Sequence, residues 1–131
     1  MNDSDLRLPV AEVFTSIQGE GPRAGRAVQF IRLGGCNLAC SWCDTPYTWD
    51  AKRYQLSKEA PATHLNDLME RVEPCLDVVI TGGEPLIHQG REAWQQLLRR
   101  LHAASCPVAL ETNGTIAPNA VTRTYVAHYS V

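Results

Sequence analysis

The chain has 131 residues, a formal net charge of −2 and 44% hydrophobic residues, enough for one domain that buries roughly two thirds of its unfolded surface. Its only adjacent basic pairs are Lys52-Arg53 and Arg99-Arg100, far from the basic footprint of a nucleic-acid binder. No apolar run reaches the ~18 residues of a membrane helix, and the acidic start MNDSDLRLPV lacks the apolar segment of a secretion signal.

A cytoplasmic setting follows as the expectation, and there thiols stay reduced. The five cysteines then point to metal binding or catalysis rather than to a disulfide framework.

In chain order, residues 10–17 (VAEVFTSI) predict a strand that ends in the turn-like QGEGP. Residues 28–33 (VQFIRL) predict a second strand, stopped by Gly34-Gly35. The stretch from Cys36 to about Ser57 has no clean period and reads as a long functional loop. Thr63 is the expected N-cap of a helix over LNDLMERVEP that Pro74 ends. Residues 77–81 (DVVIT) read as a buried strand before Gly82-Gly83. Residues 91–104 place Trp94, Leu97, Leu98 and Leu101 at helical spacing, the face of a core helix. Residues 107–111 and 125–131 complete about five strands. Alternating strands and helices predict an α/β fold with parallel pairing, a single domain over 1–131.

Four polar segments each follow a predicted strand: Gln18-Gly19-Glu20-Gly21, the cysteine loop, Gly82-Gly83-Glu84-Pro85 and Glu111-Thr112-Asn113-Gly114. In a parallel sheet or (β/α) barrel all four would lie on one face, at the carboxyl ends of the strands, where such folds place their sites.

The cysteine loop GGCNLACSWCDTPYTW spaces its thiols as Cys36-x3-Cys40-x2-Cys43. Three thiolates can hold three corners of a [4Fe–4S] cubane, whereas electron-transfer clusters take four. The fourth iron then keeps an open position that the amino and carboxylate groups of S-adenosylmethionine can chelate. An electron passed into the sulfonium would release a 5′-deoxyadenosyl radical. Cys40-x2-Cys43 alone also suits zinc or a redox dithiol, with Cys75, Cys106 or a histidine as a further zinc ligand. Cys75 and Cys106 each adjoin a proline and read as small apolar fillers. His64, His88, His102 and His128 show no ligand spacing and read as solvated or structural.

CNLACSWC resembles the cysteine signature of the radical S-adenosylmethionine enzymes, and TGGEP resembles their motif for the methionine amino group. Together, FTSIQGEGPRAG, FIRLGGCNLACSWCDTPYTW, ITGGEPL and ETNGT resemble the 7-carboxy-7-deazaguanine synthase family. The resemblance implies a lyase that contracts 6-carboxy-5,6,7,8-tetrahydropterin to 7-carboxy-7-deazaguanine and releases ammonia, on the route to queuosine and other deazapurines.

It further implies that Cys36, Cys40 and Cys43 hold a [4Fe–4S] cluster and that Trp42, Cys43, Asp44, Gly83 and Glu84 contact S-adenosylmethionine. Thr45 would be the protein ligand of Mg²⁺, and Ile17, Gln18, Gly19, Arg32 and Thr81 would contact the pterin. Arg32 would face the substrate carboxylate, which a guanidinium fork suits, although a mid-strand arginine can equally form a structural ion pair. Glu111 and Asn113 are second-tier candidates.

The implied partners are the pterin, an electron donor such as flavodoxin or ferredoxin, and a second copy in a homodimer, with no nucleic acid and no membrane. The family's chain runs on after a strand like TYVAHYSV, so the resemblance implies a partial (β/α) barrel of the radical SAM type, shortened at its carboxyl end. Its last strand would be an open edge. Two other readings are another radical enzyme, such as a glycyl-radical activase, and a non-catalytic metal-binding fragment. CDT after the third cysteine and QGEG upstream argue against the activase.

Overall fold

The computed structural model of the chain describes residues 6–17, 25–34 and 60–131. These form a mixed sheet of six strands with helices packed against it, an α/β fold. The elements are β1 (Arg7–Ile17), β2 (Ala27–Leu33), β3 (Ala62–His64), α1 (Leu65–Glu70), β4 (Val78–Gly82), a 3₁₀ turn (Pro85–His88), α2 (Glu92–Ala103), β5 (Val108–Glu111), α3 (Ala120–Tyr125) and β6 (Val126–Ser130). Strand order is β3-β1-β2-β4-β5-β6.

From β2 onward the pairing is parallel, as alternating strands and helices require. β4 is buried from Val78 to Thr81, as a strand covered on both faces should be. Ile31, Leu33, Val78, Ile80, Val108 and Leu110 join one core with the helices. Trp94, Leu97, Leu98 and Leu101 of α2 are fully buried in it, so the periodicity of that segment marks a core face. The Trp94 indole does not waste its polar atom: Nε1 donates to Thr122 Oγ1 at 3.0 Å, and that hydroxyl donates to Gln89 at 3.1 Å.

β1 departs from the expected parallel pattern. It runs antiparallel to β2, with Ile17 opposite Ala27, because only nine residues join the two strands and a parallel return needs a crossover of about a dozen or more. QGEG, which follows Ile17, therefore starts from the end of the sheet opposite the carboxyl ends of β2, β4 and β5. The four glycine-rich segments do not all leave from one face. β1 also carries a bulge: Val10 lies opposite Leu33 but Glu12 lies opposite Arg32.

Three further expectations are corrected. Thr63 is not a helix cap; its hydroxyl donates to Pro61 O in the short strand β3, which pairs with β1. His64 caps α1 instead, its Nδ1 accepting from Asn66 N–H at 3.0 Å. Nor does α1 run to Pro74. The buried amide of Gln29 accepts from Glu73 N–H and donates to Glu73 O, both at 2.8 Å, and holds that segment out of helix. Cys75 is an exposed turn residue with φ 66° rather than an apolar filler. Cys106 is buried as expected, and burial raises its thiol pKa.

Gly82 is fixed by geometry. Its φ is +139°, and a Cβ there would stand 2.1 Å from Leu33 O on β2, where no side chain can shift to make room. Gly82→Ala should destabilise the fold by about 2–4 kcal/mol through combined strain and overlap. Urea unfolding checks this, with Gly90→Ala, which meets nothing within 4 Å, as the control expected to stay within about 1 kcal/mol.

Candidate active site at the carboxyl edge of the sheet

β2, β4 and β5 end side by side, with Leu33 opposite Gly82 and Ile80 opposite Leu110. Gly34 after β2, the turn after β4 and the loop after β5 therefore meet at one edge. The turn after β4 is the centre of this meeting.

Glu84 is 1% exposed, and a carboxylate removed from water must be satisfied by donors. Its Oε2 accepts from Leu86 N–H at 2.8 Å, which caps the 3₁₀ turn. Its Oε1 accepts from the Thr112 hydroxyl at 2.5 Å and from Asn113 N–H at 2.7 Å. One carboxylate thus ties the turn after β4 to the loop after β5. Within that loop, Asn113 Oδ1 accepts from Thr115 N–H at 3.0 Å.

His88, 4% exposed, makes the second tie. Its Nε2 lies 2.8 Å from the carbonyl oxygen of Gly34, the residue that follows β2 two positions before Cys36. A carbonyl can only accept, so the imidazole carries its proton on Nε2. Burial lowers the His88 pKa, and the hydrogen bond to Gly34 opposes that shift. Sequence reading left His88 among structural histidines; its partner could not be read from spacing, since 54 residues separate the two.

Between the ends of β4, β5 and β6 lies an open pocket of about 300 Å³, lined by Thr81, Gly83, Glu111, Thr112, Asn113 and Ser130 among others, within the size range of ligand sites. Thr81 is buried and stands opposite Arg32 on β2. Arg32 Nε donates to Glu12 Oε1 at 2.8 Å, and its guanidinium carbon stands 5.7 Å from the Phe14 ring centre. The ion pair that sequence reading held open is thus present.

The structure brings Arg32, Thr81, Gly83 and Glu84 to one edge. It does not bring Ile17 there. Ile17 is exposed and lies five residues from Glu12 along β1, about 17 Å away. Gln18, Gly19, Cys36, Cys40, Trp42, Cys43, Asp44 and Thr45 lie outside the described residues. Among the described residues, no group of three or more His, Cys, Asp or Glu side chains is placed to hold a metal, and no helix is long and apolar enough to cross a membrane.

Two outcomes follow. Glu84→Ala should destabilise the chain by about 2–4 kcal/mol even without cofactor, because it strips buried donors of a charged acceptor; unfolding free energies equal to the parent's would contradict the tie. For His88, the unfolded imidazole binds its proton at a higher pH than the folded one. Stability should therefore fall as pH drops from the unfolded value of 6.5 through the lower folded value. His88→Gln, which keeps a donor toward Gly34, should lose that part of the slope when unfolding is compared at about pH 7.5 and about pH 5.5.

Comparison with known proteins agrees with this geometry. The radical SAM superfamily model matches residues 30–123, which include the end of β2, the turn after β4 and the loop after β5. The chain is 46% identical over 109 residues to the 7-carboxy-7-deazaguanine synthase of Hyperthermus butylicus, covering 83% of this chain and 44% of that protein. It is 40% identical over 111 residues to that of Rhodospirillum rubrum, covering 83% and 43%. The chain thus spans under half the length of these curated relatives. The crystal structure of QueE from Escherichia coli superposes with a TM-score of 0.68 at 31% identity, covering 89% of this chain and 57% of that one. By the extent of the match, the chain belongs to the radical SAM superfamily, whose members use S-adenosylmethionine and an iron–sulfur cluster.

Proposed function

We propose that the chain carries the cofactor and substrate residues of a 7-carboxy-7-deazaguanine synthase, which converts 6-carboxy-5,6,7,8-tetrahydropterin to 7-carboxy-7-deazaguanine with loss of ammonia. The observation that carries this reading is the placement of Arg32 and Thr81 opposite each other, beside the Gly83-Glu84 turn and at the edge where β2 leads into the cysteine segment. The identities to named synthases support it.

The donor set fits an open cluster. Cys36, Cys40 and Cys43 offer three thiolates for a [4Fe–4S] cluster, and His88 holds the backbone just ahead of them. When bound, the cluster and S-adenosylmethionine supply the carbon-centred radical that starts the ring contraction. The protein's share is binding and orientation.

Trp42, Cys43, Asp44 and Gly83 would line S-adenosylmethionine. Glu84 has used three acceptor positions on protein donors; of roughly four on a carboxylate, that leaves one on Oε2 for the methionine ammonium. Thr45 would offer a hard oxygen to Mg²⁺, which takes few protein ligands beside substrate and water. Arg32 and Thr81 would meet the pterin. The contacts implied for Gln18 and Gly19 need the segment after β1 to turn back toward the carboxyl edge, while Ile17, the last residue of β1, stands at the other end of the sheet. A flavodoxin or ferredoxin would donate the electron, a homodimer would be the assembled form, and the cytoplasm would keep the thiols reduced.

Changing Cys36, Cys40 or Cys43 to Ala should each abolish the cluster formed by anaerobic reconstitution, while Cys75→Ala and Cys106→Ala keep it. One zinc per chain in place of iron would overturn the enzyme reading in favour of a metal-binding module. Incubation with the carboxypterin, S-adenosylmethionine, a strong reductant and Mg²⁺ then tests the reaction, with 7-carboxy-7-deazaguanine as the expected product. A chain that holds iron and cleaves S-adenosylmethionine but leaves the pterin untouched would favour another radical reaction. Arg32→Ala should lower pterin use roughly ten- to hundredfold, as loss of a charge-assisted contact does, and Arg32→Lys less, with iron content normal in both.

A further inference from the structure

On the face of the sheet away from the core helices, one row of side chains crosses four strands. Glu12 lies opposite Arg32, and Arg32 lies opposite Thr81. Ile80 opposite Leu110 sets Thr81 level with Glu111. The row below holds Phe14 opposite Phe30, whose rings stack at 5.1 Å. Arg32 thus has a carboxylate at its Nε and an aromatic face beneath its guanidinium.

Glu12 reaches this row only because of the β1 bulge. Had the Val10–Leu33 register continued, Glu12 would lie opposite Ile31 on the core face, since a slip of one residue exchanges the two faces of a strand. The extra residue, Ala11, moves Glu12 and Phe14 onto the Arg32 face and Val13 toward the core. Bulges of this kind re-aim side chains beside sites.

The contact itself is one-sided. Glu12 takes Nε, at the flank of the guanidinium, and so leaves the end of the fork, with its two terminal nitrogens, for another planar anion.

We propose that Glu12 is a positioning residue for Arg32: it holds the guanidinium by its flank against Phe14, so that the terminal nitrogens present a preset fork to a ligand carboxylate. The proposal rests on the reading of Arg32 as the carboxylate clamp. Fixing a long, rotamer-rich side chain before the ligand arrives lowers the ordering cost of binding. With the Glu12 side chain 46% exposed, the pair contributes little to stability, so its substitution leaves the fold intact and the effect on binding can be read.

The test compares two ligands, 6-carboxytetrahydropterin and the same tetrahydropterin without its carboxyl group. Each is titrated anaerobically into the reconstituted chain, and the ratio of the two dissociation constants is the readout. The parent should prefer the carboxylated ligand. Glu12→Gln, whose amide oxygen still accepts from Nε, should keep that preference within about twofold, and Glu12→Ala should lower it on the order of tenfold, with unchanged thermal midpoints. A ligand-free readout is the Arg32 Nε–H signal in nitrogen-15 NMR. It should stay protected from exchange in the parent and in Glu12→Gln, and lose protection in Glu12→Ala.

If both Glu12 variants raise the preference, Glu12 competes with the ligand for Arg32 and the proposal is overturned. An unchanged preference and an unchanged Nε–H signal in Glu12→Ala overturn it as well. A parent without preference, or an Arg32→Ala variant that keeps the parent's preference, overturns the clamp reading on which the proposal stands.

Discussion

The Glu84 carboxylate is the contact on which the carboxyl edge depends. It is buried and charged, and it is stable there because three donors from two loops converge on it. Those donors belong to the turn after β4 and to Thr112-Asn113 after β5. His88, four residues further on, reaches the other way to Gly34 at the end of β2. The stretch from Gly82 to His88 therefore joins three neighbouring strand ends through two buried side chains. Gly82 lets β4 run close enough to β2 for this to happen, because any side chain there would strike Leu33 O. A turn held in this way owes its shape to the protein's own contacts.

The opposite wing of the sheet obeys a different constraint. β1 returns beside β2 through a short connection and must run antiparallel. A bulge then corrects its facing, so that Val13 packs toward the core while Glu12 and Phe14 join the row of Arg32. Arg32 meets three features from the two strands that flank β2: Glu12 and the Phe14 face on β1, and Thr81 on β4. The two wings meet at β2, whose end leads into the cysteine segment.

Much of this was legible in the sequence. VVIT between a charged residue and two glycines reads as a buried strand, and Trp94, Leu97, Leu98 and Leu101 read as one helix face, because burial imposes those periods. Hidden features depend on partners far along the chain. The end of α1 is set by Gln29, 44 residues upstream of Glu73. β3 and α3 are three and six residues long and leave too few turns for periodicity to register. The antiparallel course of β1 could have been inferred from the short link before β2. The bulge left only a faint trace, a charged Glu12 where strict alternation from Val10 would need an apolar residue. At the site, TGGEP and ETNGT were visible as motifs, but that Glu84 binds the second motif is a fact of packing.

Under the proposed function, the carboxyl edge supports a cluster with one iron left open for S-adenosylmethionine. Electron paramagnetic resonance of the reduced, reconstituted chain, recorded before and after S-adenosylmethionine is added, tests it most directly. An iron without a thiolate can take the amino and carboxylate groups of the added molecule, so the spectrum should change shape. A spectrum that stays the same at full iron content would mean that every iron is already ligated, and would contradict the account.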